Sequence, residues 1–256
     1  INLEDISAPR CFDIEARLQD IGIPVFHDDQ HGTAIVTTAA VTNALRVVGK
    51  QLGQVKIVFS GAGAAGIACA HMLIKAGASN LILVDSVGSI YDGRPDLNHA
   101  KRDIAKVTNR EAITGDIHEA IIGADIFIGL SSPGVIDRND VKRMAPDAIV
   151  LAMANPIPEI MPDEAKAGGA AVIGTGRSDF PNQVNNVLAF PGVFKGALSM
   201  RAHRVTAEMQ MAAAVALASL VDSPGQENIL PEALDRAVAP RIASAVAQAW
   251  REHLKI

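Results

Sequence analysis

The chain has 256 residues, of which 49% are hydrophobic and 20% are charged, and its net charge is −5. This composition is typical of a globular protein with a sizeable core and excludes a disordered chain. The acidic balance and the low aromatic content of 4% argue against a nucleic-acid-binding protein, which needs a basic face and stacking side chains.

Cysteine use and hydropathy bear on the compartment. Cys11 and Cys69 lie in unrelated contexts and give neither the spacing of a zinc site nor a disulfide framework. The most apolar run, residues 211–221, is shorter than the ~20 residues that cross a bilayer, and no charged-then-apolar leader opens the chain. We therefore expect a cytoplasmic protein whose partners include neither a membrane nor a nucleic acid.

The N-terminal segment alternates short apolar runs with polar clusters. Residues 1–3 alternate apolar and polar side chains, which predicts a short strand that ends at Glu4 and Asp5. Ser7 is expected to cap a helix over residues 9–19.

A second short strand is expected over residues 22–26, ahead of the polar segment HDDQHG (27–32). From residue 33 to about 48 the pattern is helical and apolar on most sides. It predicts a buried helix that Gly49 ends.

The central part of the chain alternates strand and helix patterns. A β-branched run over residues 55–59 predicts a strand, GAGAAG follows it, and a helix continues over 67–75. Further strands are expected over residues 81–84, 125–129, 148–153 and 171–173, with helices near 97–106, 116–122, 139–144 and 162–167. Unbroken apolar strands that alternate with helices imply an α/β fold, a doubly wound, mostly parallel Rossmann-type sheet.

Beyond residue 192 the strand patterns stop, and helices are expected over about 193–199, 205–220 and 231–250. The sequence therefore suggests boundaries near residue 30 and near residue 192.

The turn GAGAAG is the strongest local motif. Gly61, Gly63 and Gly66 follow a predicted strand, open a helix and precede an acidic strand end, Asp85. The first glycine permits the tight turn, the second lets a pyrophosphate approach the backbone, and the third allows close helix–strand packing. The context favours dinucleotide binding over an ordinary strand–helix turn.

The choice of cofactor stays open. An acid at the position of Asp85 normally bonds the ribose 2′-hydroxyl of NAD, whereas Ser86 and Arg94 are able to accommodate the 2′-phosphate of NADP. The alternative is that Asp85 only caps a helix that follows the strand.

Two acidic pairs end the first two predicted strands: Glu4 with Asp5, and Asp28 with Asp29. Carboxylates at strand ends suit a hard cation such as Mg²⁺ or Mn²⁺. The alternative is that they are solvated loop residues or caps, as isolated acidic pairs usually are.

A third cluster contains amides. Asn155 in MANP ends a predicted strand, and Asn182, Gln183, Asn185 and Asn186 precede FPG. The carboxyl ends of parallel strands are where open α/β sheets bind ligands. Turn formation explains any single one of these residues equally well.

Together these clusters resemble the malic enzyme family, especially its bacterial members, in INLEDI, PVFHDDQHGTA, VFSGAGAAG, LAMANP and PNQVNNVLAFPG. The resemblance implies oxidative decarboxylation of (S)-malate to pyruvate and CO₂, with reduction of NAD or NADP and with Mg²⁺ or Mn²⁺, in a homo-oligomer. A malolactic-type enzyme and a non-catalytic dinucleotide-binding module are the alternatives.

The resemblance also implies residue roles and domains. It assigns Glu4, Asp5 and Asp29 as metal ligands, Asp28 as catalytic, Asn155 and Asn186 as malate contacts, and Gly61, Gly63, Gly66 and Asp85 as cofactor contacts. It assigns residues 1–29 to the substrate domain, 30–192 to the NAD(P)-binding domain and 193–256 to a helical C-terminal region.

In the family the proton-transferring Lys and Tyr, with an Arg for the substrate carboxylate, lie upstream of the position of Ile1. We therefore expect this chain alone to bind cofactor but to turn over malate very slowly or not at all. Tyr91 matches no catalytic motif. If turnover is nonetheless rapid, Lys56 and Lys195 are the first lysines to mutate.

Overall fold

Two parallel sheets organise the chain in the computed structural model, which describes residues 1–255. The small sheet pairs β1 (Asn2–Leu3) with β2 (Phe26–His27). The large sheet contains β3 (Lys56–Ser60), β4 (Asn80–Val84), β5 (Ile126–Gly129), β6 (Ile149–Ala152) and β7 (Val172–Thr175). Its order is β4-β3-β5-β6-β7, and every neighbouring pair is parallel.

Within residues 1–255, ten α-helices accompany these strands: α1 (Arg10–Leu18), α2 (Thr33–Val48), α3 (Ala64–Lys75), α4 (His99–Ala105), α5 (Ile117–Ala120), α6 (Arg138–Lys142), α7 (Pro162–Gly168), α8 (Phe190–Ser199), α9 (Ala207–Ala218) and α10 (Val238–His253). The doubly wound parallel fold predicted from the sequence is confirmed. None of the helices within residues 1–255 is long and apolar enough to cross a membrane.

The large sheet is covered on both faces because its strands are apolar on both sides. Ile57 and Phe59 of β3 pack into a core with helices α2, α3 and α8–α10, whereas Val58 packs into a second core with α5–α7. The C-terminal helices thus share a core with the sheet. The domain boundaries at residues 29/30 and 192/193 stay a prediction.

Three predicted element boundaries are wrong. Ser7 does not cap α1, which begins at Arg10 after Pro9 without a side-chain cap. The strand expected over residues 22–26 is reduced to β2, since Pro24 has no N–H to donate to a neighbouring strand. Helix α10 begins at Val238 rather than 231, and the Asp235 carboxylate accepts the Ala237 N–H at 2.8 Å ahead of it in a local turn.

The strand order places the ligand site. The direction of winding changes between β3 and β5, and open parallel sheets bind ligands outside the carboxyl ends of strands at such a point. The turn after β3 and the loops after β4, β5 and β6 meet there.

Candidate cofactor and metal site

The three glycines of the turn between β3 and α3 have different surroundings. Gly61 has φ +110°, and a Cβ there would lie 2.3 Å from the Leu130 carbonyl oxygen. A Cβ on Gly66 would lie 2.1 Å from the Gly61 carbonyl oxygen, whereas one on Gly63 would meet nothing within 4 Å. Gly61 and Gly66 are therefore required by the protein's own packing, and Gly63 faces open space. Gly66 packs against the turn itself, not against a strand as the sequence suggested.

A cavity of about 520 Å³ opens at this turn. Its walls include Gly61 and Gly63 of the turn, Asp85 after β4, Lys101 on α4 and Ser131 after β5. Helix α3 begins without a side-chain cap, so its first N–H groups are available to an anion in this cavity.

Asp85 is held by basic groups beside the cavity. Its Oδ2 accepts from Arg94 Nη2 at 2.8 Å and from Lys101 Nζ at 2.5 Å, while its Oδ1 accepts the Val87 N–H at 3.0 Å. Burial raises the pKa of Asp85, but the hydrogen bonds from Arg94 and Lys101 outweigh that effect and bring it to about 2. Asp85 is thus charged, and it organises its own loop rather than capping a helix.

Arg94 is fully engaged with protein groups. Its three guanidinium nitrogens donate to Asp85, to Asp96 and to the carbonyls of Gly88 and Ser89. In this arrangement Arg94 fixes Asp85 and the loop after β4.

Loss of Arg94 is expected to destabilise this loop. Arg94→Met should lower the free energy of unfolding by about 2 kcal/mol, since a buried carboxylate loses its main partner while Lys101 remains. Asp85→Asn in the same chain should restore part of the loss. Denaturant titration measures both, with the exposed Arg138–Glu164 ion pair as control through Arg138→Met. A loss no larger than in that control would show that Lys101 alone satisfies Asp85.

The small sheet brings the two acidic pairs together. Because β1 and β2 are parallel neighbours, Glu4 and Asp5 leave the sheet on the same side as Asp28 and Asp29. The Asp5 N–H donates to Asp29 Oδ2 at 2.8 Å. A π-helical turn, Asp28–Gly32, then leads into α2.

Asp28 has the least exposed side chain of this cluster. It is buried, Asn186 Nδ2 donates to its Oδ2 at 2.7 Å, and its Oδ1 has no hydrogen-bond partner. Burial, with the negative charges of Glu4 and Asp29, raises its pKa to about 6. Gly32 makes room for it, since a Cβ there would lie 1.9 Å from Asp28 Oδ1.

The donor chemistry of this cluster fits a hard divalent cation. The carboxylates supply oxygen ligands, repel one another, and leave an unpartnered buried oxygen on Asp28. Within residues 1–255, no three His, Cys, Asp or Glu side chains are already arranged as ligands of one ion. A bound cation would therefore have to draw Glu4, Asp5 and Asp29 together.

The amide cluster divides into structural residues and a site residue. Asn182 donates to the carbonyls of Ile173 and Gln226, and Asn185 caps the 3₁₀ turn that Asn186 begins. These two are explained by loop structure. Asn186 instead reaches Asp28, which joins the amide and acidic clusters, while Asn155 lies exposed on the loop after β6.

Two residues that build this site, Glu15 and Lys101, were not predicted from the sequence. Glu15 of α1 is nearly buried and accepts from Gln30 Nε2 at 2.9 Å and from His31 Nε2 at 2.5 Å, which fixes the turn that carries Asp28. Lys101 holds Asp85 from sixteen residues away. No local sequence signal marks either residue, since Glu and Lys are mostly exposed.

Comparison with known proteins decides the family. The family model described as "Malic enzyme, NAD binding domain" matches residues 30–250. The chain belongs to the malic enzyme family. It is 52% identical to the bifunctional malic/malolactic enzyme of Bacillus subtilis over 98% of this chain and 62% of the relative. It is 51% identical to the NAD-dependent malic enzyme of Geobacillus stearothermophilus over 97% of this chain and 52% of the relative.

The fold agrees with solved malic enzymes. The NAD-dependent malic enzyme of Thermotoga maritima superposes with a TM-score of 0.94 at 44% identity, over 96% of this chain and 66% of that one. The resemblance inferred from the sequence is therefore confirmed, and the chain contains the NAD-binding domain of the malic enzyme family. It spans about half to two thirds of the length of these relatives.

Proposed function

We propose that this chain forms the cofactor-binding and metal-binding part of a malic enzyme, which oxidatively decarboxylates (S)-malate to pyruvate and CO₂ with reduction of NAD or NADP. The observation that carries the proposal is the glycine turn, whose Gly63 faces open space beside a cavity at the carboxyl edge of the sheet. The family match supports it.

The proposed roles combine the geometry of the glycine turn with the roles that the family resemblance implies. Gly61 and Gly66 shape the turn, Gly63 admits the pyrophosphate, and Asp85 faces the adenosine ribose. Glu4, Asp5 and Asp29 would hold Mg²⁺ or Mn²⁺, which when bound polarises the malate hydroxyl and stabilises developing negative charge. Asn155 and Asn186 are the proposed malate contacts.

Asp28 is proposed as a proton-handling group beside the metal. Without a bound cation, burial and the charges of Glu4 and Asp29 raise the pKa of Asp28 to about 6, and a cation beside it would lower that pKa. Its unpartnered oxygen gives it a place to exchange a proton, as a general acid or base must. Asn186 holds one oxygen and leaves the other, Oδ1, without a partner. The protonation state of Asp28 is thus coupled to the position of a proposed malate contact.

Removing Asp29 should weaken Mn²⁺ binding roughly ten-fold, since the ion loses a charged ligand and only weaker donors remain. Asp29→Ala and the control Asp13→Ala, an exposed acid on α1, are titrated with Mn²⁺ by calorimetry. Mn²⁺ affinity equal to that of the parent in Asp29→Ala would show that Glu4, Asp5 and Asp29 do not share one ion.

The activity is tested with (S)-malate, Mn²⁺ and NAD or NADP. We expect little turnover by this chain alone and malate-dependent cofactor reduction, with pyruvate formed in equal amount, when the N-terminal part of a bacterial relative is added. No reduced cofactor under either condition would contradict the proposal. Rapid turnover by the chain alone would point to a catalytic base within it. Lys56 is poorly placed for that role, because it begins β3 at the edge of the sheet opposite the glycine turn and donates to the Ile122 carbonyl.

A malolactic activity is the second candidate, because the Bacillus subtilis relative is named a bifunctional malic/malolactic enzyme. Lactate formed without net cofactor reduction would favour it. Cofactor binding without either product under both conditions would favour a non-catalytic module. The expected homo-oligomer stays a prediction.

A further inference from the structure

A buried carboxylate joins two loops at the carboxyl edge of the sheet. Glu159 is 0% exposed. Its Oε1 accepts the Ser131 N–H at 2.8 Å, and its Oε2 accepts the Ala154 N–H at 3.0 Å. Ser131 belongs to the loop after β5 and Ala154 to the loop after β6, so a single side chain connects the loops of two neighbouring strands.

The surrounding backbone is shaped to hold this carboxylate. Gly129 ends β5, and a Cβ there would lie 2.4 Å from Glu159 Cδ. The Gly134 N–H also donates to the Pro158 carbonyl at 3.3 Å, and the Ile136 N–H donates to the Glu159 carbonyl at 3.4 Å. The loop after β5 is thus attached to the Glu159 segment through both backbone and side chain.

Burying the Glu159 carboxylate between the two loops carries a desolvation penalty. Desolvation raises the pKa of Glu159, and the backbone hydrogen bonds oppose that shift only in part. An apolar side chain fills such a space without the desolvation penalty. A carboxylate differs by offering two acceptors with a fixed separation, which sets the distance between the two N–H groups it binds.

Each loop carries a part of the proposed site. Ser131 lines the cofactor cavity, and its hydroxyl is 2.7 Å from the hydroxyl of Ser60 at the end of β3. Ala154 directly precedes Asn155, the proposed malate contact. The Met153 N–H also donates to the Gly129 carbonyl at 3.0 Å where the two strands end. Beyond that point, the two bonds to Glu159 join the cofactor wall at Ser131 to the residue before Asn155.

We propose that Glu159 is a positioning residue that holds the Ser131 wall of the cofactor cavity and the Asn155 loop at one separation. The inference rests on the proposed function, because it needs the cavity to bind NAD or NADP. It assigns no contact between Glu159 and the cofactor or substrate.

Glu159→Gln is the main test. The glutamine amide has one oxygen, so in either orientation its NH₂ group faces one of the two backbone N–H groups and one loop is released. We expect the Kd of this chain for NADH or NADPH, whichever the parent binds, to rise roughly ten-fold, because one wall of the cavity is no longer held in place. Glu164→Gln is the matched control, since Glu164 is an exposed acid on α7.

Two further variants keep the test decisive. Glu159→Asp preserves the charge but is too short to reach both loops, and Gly129→Ala pushes the unaltered carboxylate aside. Both should weaken NADH binding as Glu159→Gln does, at a temperature where circular dichroism shows a folded chain. Should Glu159→Gln not fold, these two carry the same test.

The outcomes are distinct. Weaker NADH binding in the folded variants, with the control unchanged, supports the positioning role. A lower Tm with unchanged NADH affinity overturns it and leaves Glu159 only structural. If the parent chain itself binds neither NADH nor NADPH, the proposed function fails and this inference fails with it.

Discussion

Replacing Gly63 by valine is expected to weaken NAD and NADP binding by roughly a hundred-fold, about 2.7 kcal/mol, with little effect on folding. A Cβ at this position would meet no protein atom within 4 Å, and its φ of −87° and ψ of −160° lie outside the left-handed region, at the edge of the β region. The new methyl groups instead occupy the space through which the pyrophosphate approaches. Calorimetric titration with both cofactors measures the loss.

The other two glycines provide the controls. Gly61→Val and Gly66→Val place a Cβ within 2.3 Å of backbone oxygens, so they should lower Tm sharply before cofactor is added. Gly63→Val should keep the parent's Tm. Unchanged cofactor affinity in a folded Gly63→Val chain would mean that the glycine turn is not the pyrophosphate site.

The second large effect is the pH dependence that Asp28 gives to the free energy of unfolding. Its pKa rises from 3.8 in the unfolded chain to about 6 in the folded one, so the folded state retains a proton that the unfolded state releases between these values. Asp28 therefore does not lower the free energy of unfolding below about pH 4. It lowers that free energy progressively as the pH rises, and by the full amount above about pH 6. At pH 7 that decrease is about 2–3 kcal/mol.

Asp28→Asn removes this titration. Without divalent ions, the variant should be more stable than the parent by about 2–3 kcal/mol at pH 7 and no more stable near pH 4. Added Mn²⁺ should shrink the difference at pH 7, because a nearby cation favours the charged carboxylate. Denaturant titrations of both chains across this pH range measure it. A difference that does not vary with pH would show that Asp28 titrates as an ordinary surface acid.

Local patterns were enough to predict the fold. Each element is recognisable from residues that are close together in the sequence. Examples are the strand residues 55–59, the glycines of GAGAAG and Gly49 at the end of a helix. Gly49 indeed adopts a left-handed conformation after α2, as its place after an apolar helix predicts. The parallel sheet follows from the alternation of such segments.

Contacts between distant segments were not predictable in the same way. Asn186 reaches Asp28 across 158 residues, and only the family resemblance suggested that they share a site. Asn182 has the same side-chain amide as Asn186, but it donates to the backbone carbonyls of Ile173 and Gln226 and so stabilises a loop. Glu159 was missed because an acid in an Ile-Pro-rich segment gives no local sign that both of its oxygens bind backbone N–H groups.

A crystal structure of this chain with NAD and Mn²⁺ bound tests most directly the central claim that the glycine turn binds the cofactor pyrophosphate and the acidic cluster binds the divalent ion. We expect the pyrophosphate to lie within hydrogen-bond distance of the N–H groups that begin α3. We also expect Glu4, Asp5 and Asp29 to ligate Mn²⁺, with Asp28 beside the ion. NAD bound away from Gly63, or Mn²⁺ bound away from these carboxylates, would contradict it.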